Sequence, residues 1–256
     1  MTDQPDPVFS DADVAELYDE LNPWNAGAFR ADAAFYDPRI LAAESVLDVG
    51  CGTGSALTAA RAAGHAGRLV GIDPDLAALE RARRCAEVEW VQGRAADVDR
   101  WPGAFELAVM TGNAFQCLIE DEDVRASLAA VRTALRPGGR FAFETRHPQA
   151  RAWADWPDGV TRAQLPDGRV LQVTYQIDAI VDDVVYVAEI TASPGADGAP
   201  ARVLRVDRAP LRFLDVPRLN GFLADAGLAI EQQDGGWDGQ ALSPESSLIV
   251  TVARRG

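Results

Sequence analysis

Lysine is missing from this sequence altogether. All 24 basic residues are arginine, set against 39 acidic ones, for a formal net charge of −15 over 256 residues. So acidic a surface repels polyanions, which disfavours nucleic acid and anionic membrane as partners. Histidine is nearly as scarce: His65 and His147 lie far apart, so no zinc-type cluster is expected and no metal is assigned. The three cysteines, Cys51, Cys85 and Cys117, are odd in number and form no C-x-x-C pair, which reads as reduced thiols. No apolar run reaches the roughly 20 residues that span a bilayer. The first residues, Met1-Thr2-Asp3-Gln4-Pro5-Asp6, lack the basic and apolar regions of a signal peptide. These absences lead to the expectation of a soluble, cytoplasmic protein.

What the chain has in quantity is hydrophobic residues, 48% of the total, enough for one large domain or one domain with an inserted cap. Its most informative stretch is Ser45-Val46-Leu47-Asp48-Val49-Gly50-Cys51-Gly52-Thr53-Gly54-Ser55. Val46 to Val49 reads as a buried strand interrupted only by Asp48, and a helical pattern opens near Ser55. Between them Gly50, Gly52 and Gly54 alternate, more glycine than a strand-to-helix turn requires. Without Cβ atoms, such residues let a ligand lie against the main chain. The dinucleotide fingerprint G-x-G-x-x-G fails, because Ser55 holds the third glycine place. Asp48 would repel a pyrophosphate and suits a cationic ligand instead.

The surrounding sequence alternates strand and helix, the pattern of a parallel sheet with helices on both faces. Strands are expected at Ser45–Val49, Arg68–Ile72, Val88–Val91, Phe105–Met110 and Phe141–Glu144, with helices over Ser55–Ala63, Asp75–Ala86 and Asp121–Arg136. Ahead of them lie a loose arm and two helices. The first starts at Asp11, carries Val14, Leu17, Tyr18 and Leu21, and is broken by Pro23 and Gly27. The second runs from about Phe29 and stops before Pro38. After Thr145 the alternation ends, and Val170–Ile177, Val184–Ile190 and Arg202–Leu214 read as antiparallel strands. A last helix over Val216–Ala226, capped by Gly227, leads to two final strands, Leu228–Gln232 and Ser247–Val252.

The segment VLDVGCGTG, residues 46–54, resembles the first motif of the class I S-adenosylmethionine-dependent methyltransferases of small-molecule type. Their cofactor carries a sulfonium and an ammonium and no phosphate, in agreement with the charge of Asp48. The turn Leu135-Arg136-Pro137-Gly138-Gly139-Arg140-Phe141 resembles the post-helix turn typical of the same superfamily. The resemblance implies a doubly wound, Rossmann-like α/β sheet of seven strands with an antiparallel last strand. It divides the chain into an N-terminal arm with lid helices (1–40), a cofactor core (41–148), an antiparallel β insert (149–215) and a completing helix and strand pair (216–256).

Site residues follow. Asp48, Gly50, Cys51, Gly52 and Gly54 are expected around the cofactor, and Asp73, with Pro74, closes strand two about 20 residues past the loop, the spacing of a ribose-binding carboxylate. Relatives usually hold the adenine amine with an acidic residue where this chain has Arg94; the amide of Ala95 is still available to the ring. Met110, Thr111 and Asn113, after strand four, are expected at the methionine end, where the strand order reverses. The [Asp/Asn]-Pro-Pro-aromatic element of nucleobase amine methyltransferases is missing there. A general base is needed only if the acceptor starts protonated; His147, Glu144 and Tyr175 are candidates, and Tyr18 is expected near the transferred methyl. The expected partner is a small-molecule acceptor. The alternative is a non-catalytic protein that binds S-adenosylmethionine or S-adenosylhomocysteine, and the oligomeric state is left open.

Overall fold

The computed structural model describes residues 9–24, 31–195 and 200–256. The expected break at Gly27, the helix start at Phe29 and most of the arm lie outside them. Strands β1 (Ser45–Val49), β2 (Arg68–Asp73), β3 (Glu89–Gln92), β4 (Phe105–Met110) and β5 (Leu135–Arg146) run parallel, in the order β3-β2-β1-β4-β5. β10 (Leu228–Asp234) and β11 (Leu248–Arg255) complete this seven-stranded sheet, with β11 antiparallel between β5 and β10. The order reverses between β1 and β4, so the crevice beyond their carboxyl ends is the natural ligand position.

Strand alternation assigns each core residue to a layer. Val46 packs on one face with Phe35, Tyr36 and Ile40 of α2 (Ala31–Ala42) and Leu57 of α3 (Ser55–Ala62). Leu47 and Val49 point the other way, toward Val124, Leu128 and Val131 of α5 (Asp121–Ala134) and Leu219 and Leu223 of α6 (Val216–Asp225). Both faces are covered, which is why β1, β2 and β4 read as nearly unbroken apolar runs.

The insert forms a second, antiparallel sheet of β6 (Thr161–Gln164), β7 (Val170–Val181), β8 (Val184–Ser193) and β9 (Arg202–Arg212). Helix α1 (Asp11–Leu21) bridges it to the core. Leu17 is buried with Leu165, Leu171 and Val173 of the insert. Asp13 and Asp11 pair with Arg169 and Arg205 of the insert, while Glu16 and Asp19 pair with Arg81 of α4 (Leu76–Ala82).

Four expectations need correction. α2 does not stop before Pro38 but runs through it to Ala42. Pro38 and Ala34, whose carbonyl loses its helical partner, are both exposed to solvent, while Tyr36 and Ile40 are fully buried and hold the turn. α4 ends at Ala82, short of Ala86, because its last turn tightens and the Cys85 carbonyl accepts from Trp90 Nε1 at 2.9 Å. The turn at residues 136–140 is a bulge inside β5: Leu135 faces Phe105 while Arg140 already faces Leu107, and Gly138 absorbs the excess at φ 78°. The insert also has a strand, β6, that its short polar sequence did not announce.

Candidate active site

Gly50, Gly52 and Gly54 all take left-handed backbone, at φ 74°, 53° and 76°. Main-chain bonds fix this loop: the amides of Gly50 and Cys51 both donate to the Ile72 carbonyl, at 2.8 and 3.1 Å. Asp73, 8% exposed, locks the loop to the next turn, since one carboxylate oxygen accepts from the Gly52 amide and the other from the Asp75 amide, each at 2.8 Å. Each oxygen keeps a lone pair for a ligand hydroxyl.

Of the cavities around this loop two share Gly50, and a third adjoins the second. The first, about 380 Å³, lies on the α5 side and is lined by Gly50, Asp73, Pro74, Arg94, Ala95, Met110 and Cys117, among others. The second, about 40 Å³, sits above Asp48 and is lined also by Gly50, Cys51, Gly52, Thr111, Gly112, Trp24 and Tyr18. The third, about 460 Å³, opens between core and insert and shares Tyr18, Asn22 and Gly112 with the second. Asp32, Asn113, Glu144, Arg146, Tyr175, Glu189 and Trp237 line it.

Met110 therefore does not lie with Thr111. It follows Val49 onto the α5 face and borders the Asp73 cavity, while Thr111, next in line, borders the Asp48 cavity and Asn113 the third. Strand alternation separates neighbours in this way. Arg94 is exposed on the rim of the first cavity, and Asp97 Oδ2 accepts from the Arg94 amide at 2.8 Å.

Asp48 is 1% exposed, and its Oδ1 has no partner among the described residues. Burial, reinforced by the charges of Asp73 and Glu144, pushes its carboxyl up to about 8. An orphaned acceptor facing a cavity fits a ligand that brings a positive donor. Cys51 is buried beside it, and burial raises its thiol well above the ordinary range, so it stays neutral. A Cβ on Gly52 would meet nothing within 4 Å, so the space over that residue is open to a ligand.

Glu144 is likewise 1% exposed. Its Oε2 accepts a short bond from the Tyr36 hydroxyl and its Oε1 accepts from the Asn113 amide at 2.6 Å. Burial pushes this carboxyl up to about 7, against the lowering effect of those two donors. Tyr175 donates to Glu189, its register partner on β8, and burial moves that phenol up to about 12. His147 is not among the residues lining the third cavity. It caps the turn Pro148–Ala150, with Nδ1 accepting from the Gln149 amide at 3.2 Å, and burial lowers its pKa. Of the three candidate bases, Glu144 and Tyr175 line the third cavity and His147 does not.

Sequence reasoning missed Asp32, Tyr36, Arg146, Glu189 and Trp237. Glu189 left one trace: it shares parity on β8 with buried Val185, Val187 and Thr191, and a charge on a buried face is informative. Tyr36 and Trp237 left none, because they meet only through the fold, with ring centroids 5.7 Å apart.

The fold and this loop define a class I methyltransferase architecture, and the comparisons agree. Residues 46–139 match the family profile of the methyltransferase domain. The cypemycin N-terminal methyltransferase of a Streptomyces species is 26% identical over 253 residues, covering 98% of this chain and 99% of that one. An S-adenosylmethionine-dependent methyltransferase from Clostridium acetobutylicum superposes with a TM-score of 0.72 at 16% identity, over 95% of this chain and 98% of that one. An S-adenosylmethionine-bound amino pentose methyltransferase from Micromonospora echinaspora gives 0.68 at 21%, over 94% and 97%. Residues 46–139 thus carry a methyltransferase domain, and the similarities over nearly the whole chain support an S-adenosylmethionine-dependent methyltransferase.

Proposed function

We propose that the protein transfers the methyl group of S-adenosylmethionine to a small molecule held in the 460 Å³ cavity between core and insert. The observation that carries this reading is that the three cavities adjoin, sharing Gly50 on one side and Gly112 on the other. Asp73 would hold the ribose hydroxyls, Pro74, Arg94, Ala95 and Met110 would border the adenine, and Gly50, Cys51, Gly52 and Gly54 would form the cradle. Asp48 and Thr111 would meet the amino-acid end, where the orphaned Asp48 Oδ1 accepts from the ammonium.

When bound, the cofactor supplies a methyl already activated by its sulfonium, so the chain's own residues mainly position the acceptor and exclude water. Tyr18, on α1, borders both the second and the third cavity and stands at the point of transfer. Asn113 and Glu144 hold the opposite side, and Glu144 takes a proton from an acceptor that arrives protonated. A protein that only bound the cofactor would have no use for the large cavity beside Gly112. Three unpaired cysteines favour a reducing, cytoplasmic setting, and the net charge of −15 argues against nucleic acid. Among the described residues no helix is long and apolar enough to cross a membrane.

Calorimetry with S-adenosylhomocysteine tests the cofactor half: saturable one-to-one binding is expected, and its absence refutes the assignment. Mass spectrometry of a small-molecule panel incubated with S-adenosylmethionine tests the other half, through a gain of one methylene in the acceptor.

A further inference from the structure

We infer that the acceptor is an amine, taken up as its ammonium ion, and that Glu189 of the insert selects it. This rests on the reading above, in which the 460 Å³ cavity receives the acceptor. The polar groups facing that cavity are unbalanced. Among the described residues, Glu144 and Glu189 bring two carboxylates to it beside one guanidinium, that of Arg146. The guanidinium, near Glu144, donates to Gln116 Oε1 at 2.8 Å and lies 5.1 Å over the Trp156 ring. The Tyr175 hydroxyl is spent on Glu189, and the Tyr36 hydroxyl on Glu144.

Asn113 adds an independent observation, because its Oδ1 is buried on this wall with no partner among the described residues. Asn113 Oδ1 and the Glu189 carboxylate are acceptors that a positively charged donor would satisfy, and an ammonium brings up to three N–H groups and one charge. Rings of Tyr18, Tyr175 and Trp237 on the same walls suit the alkyl or aryl part of such a molecule and add cation–π attraction.

Glu189 separates this demand from that of the cofactor. It lines neither of the two cavities around the glycine loop, so it has no share in neutralising a sulfonium. Among the described residues it forms no ion pair, and Asp207, opposite it on β9, is already held by Arg205 at 2.7 Å. An ammonium has no lone pair. Transfer therefore requires that it first lose one proton to the Glu144 carboxylate, giving R–NH2 and a neutral Glu144 acid. The nitrogen pair then forms the N–C bond as the C–S bond breaks, leaving the thioether S-adenosylhomocysteine and R–NH2–CH3 carrying the charge.

The test uses the full chain saturated with S-adenosylhomocysteine and three probes of one shape, benzylamine, benzyl alcohol and benzoate, followed by saturation-transfer NMR and calorimetry. Wild-type protein is expected to bind benzylamine at least about tenfold more tightly than benzyl alcohol, the size of one charge-assisted hydrogen bond. In Glu189→Gln, which still accepts from Tyr175, that preference is expected to fall to within about threefold while S-adenosylhomocysteine affinity stays unchanged. Equal or tighter binding of the alcohol or benzoate, entry of none of the three, or an undiminished preference in Glu189→Gln overturns the inference. Failure of S-adenosylhomocysteine to bind in the first place refutes the cofactor assignment instead, so the two failures are told apart.

Discussion

The two walls of the site are built in opposite ways. On the cofactor side one continuous stretch, residues 48–75, supplies the loop, and its contacts run through the main chain: amides of Gly50, Cys51, Gly52 and Asp75 and the Ile72 carbonyl. On the acceptor side no two neighbouring elements suffice. α1, α2, β5, β7 and β8, the turn after β4 and residues 237–248 each contribute one or a few side chains. A wall made of backbone constrains which residue types can stand there, whereas one made of side chains can change its chemistry by single substitutions without disturbing the sheet.

The sharpest way to break this contrast is a matched pair of glycine substitutions. Gly54→Ala puts a Cβ at 2.4 Å from Trp90 Cη2 and 2.9 Å from Ala82 Cβ, at φ 76°. It is expected to destabilise the fold by more than about 3 kcal/mol, overpacking and backbone strain together. Gly52→Ala meets nothing within 4 Å. It is expected to lose only about 1–2 kcal/mol of stability from its left-handed backbone, yet to abolish cofactor binding. Urea denaturation and calorimetry on both variants check the pair; equal effects on stability would contradict the assignment of Gly52 to a ligand-facing position.

pH probes the same wall. With its carboxyl pushed up to about 8, Asp48 is protonated in the ligand-free protein at neutral pH and must ionise to pair with a cation. Affinity for S-adenosylmethionine is therefore expected to fall by up to about tenfold per unit as pH drops below 8, with proton release visible in buffers of different ionisation enthalpy. The stability of the ligand-free protein moves the other way. Between the ordinary carboxylate range and about 8 for Asp48, or about 7 for Glu144, the folded state holds protons that the unfolded state lacks. Those raised carboxylates therefore make stability decline as pH rises through that window, which denaturant midpoints at pH 6 and pH 8 measure.

Two smaller effects sharpen the comparison. Asp73→Ala removes the acceptor for two amides and for the ribose, and is expected to weaken S-adenosylhomocysteine binding by about 1–3 kcal/mol in a calorimetric titration. Tyr36→Phe leaves Glu144 with one of its two donors, and is expected to cost about 1–2 kcal/mol of stability. It should also carry the Glu144 carboxyl above about 7, shifting the rise of the pH–rate profile upward while cofactor affinity stays put. A variant that lost cofactor affinity instead would place Glu144 on the wrong wall.

The same contrast explains what was legible. The sheet and the loop are written locally: apolar runs bounded by glycine, and Asp48 and Asp73 at spacings that a strand and a turn impose. The extent of α2 was not, because whether Pro38 ends a helix depends on which side of it faces water. Met110 and Thr111, adjacent in sequence, were assigned to one end of the ligand although a strand sends them to opposite faces. His147, one of three candidate bases by sequence, has its Nδ1 committed to capping a turn. Glu144 and Tyr36, separated by more than a hundred residues, meet only because β5 and α2 share a face of the sheet.

The position of β11 has a consequence for the order in which the site comes into being. Leu248, on the acceptor wall, pairs with Arg146, and Trp237 packs its ring 5.6 Å from that of Phe35. A chain emerging from the ribosome presents the whole glycine loop and Asp73 early, whereas its acceptor wall waits for the segment around residues 237–248. A nascent chain paused before that segment would have its cofactor cradle written and its substrate chamber still open along one side.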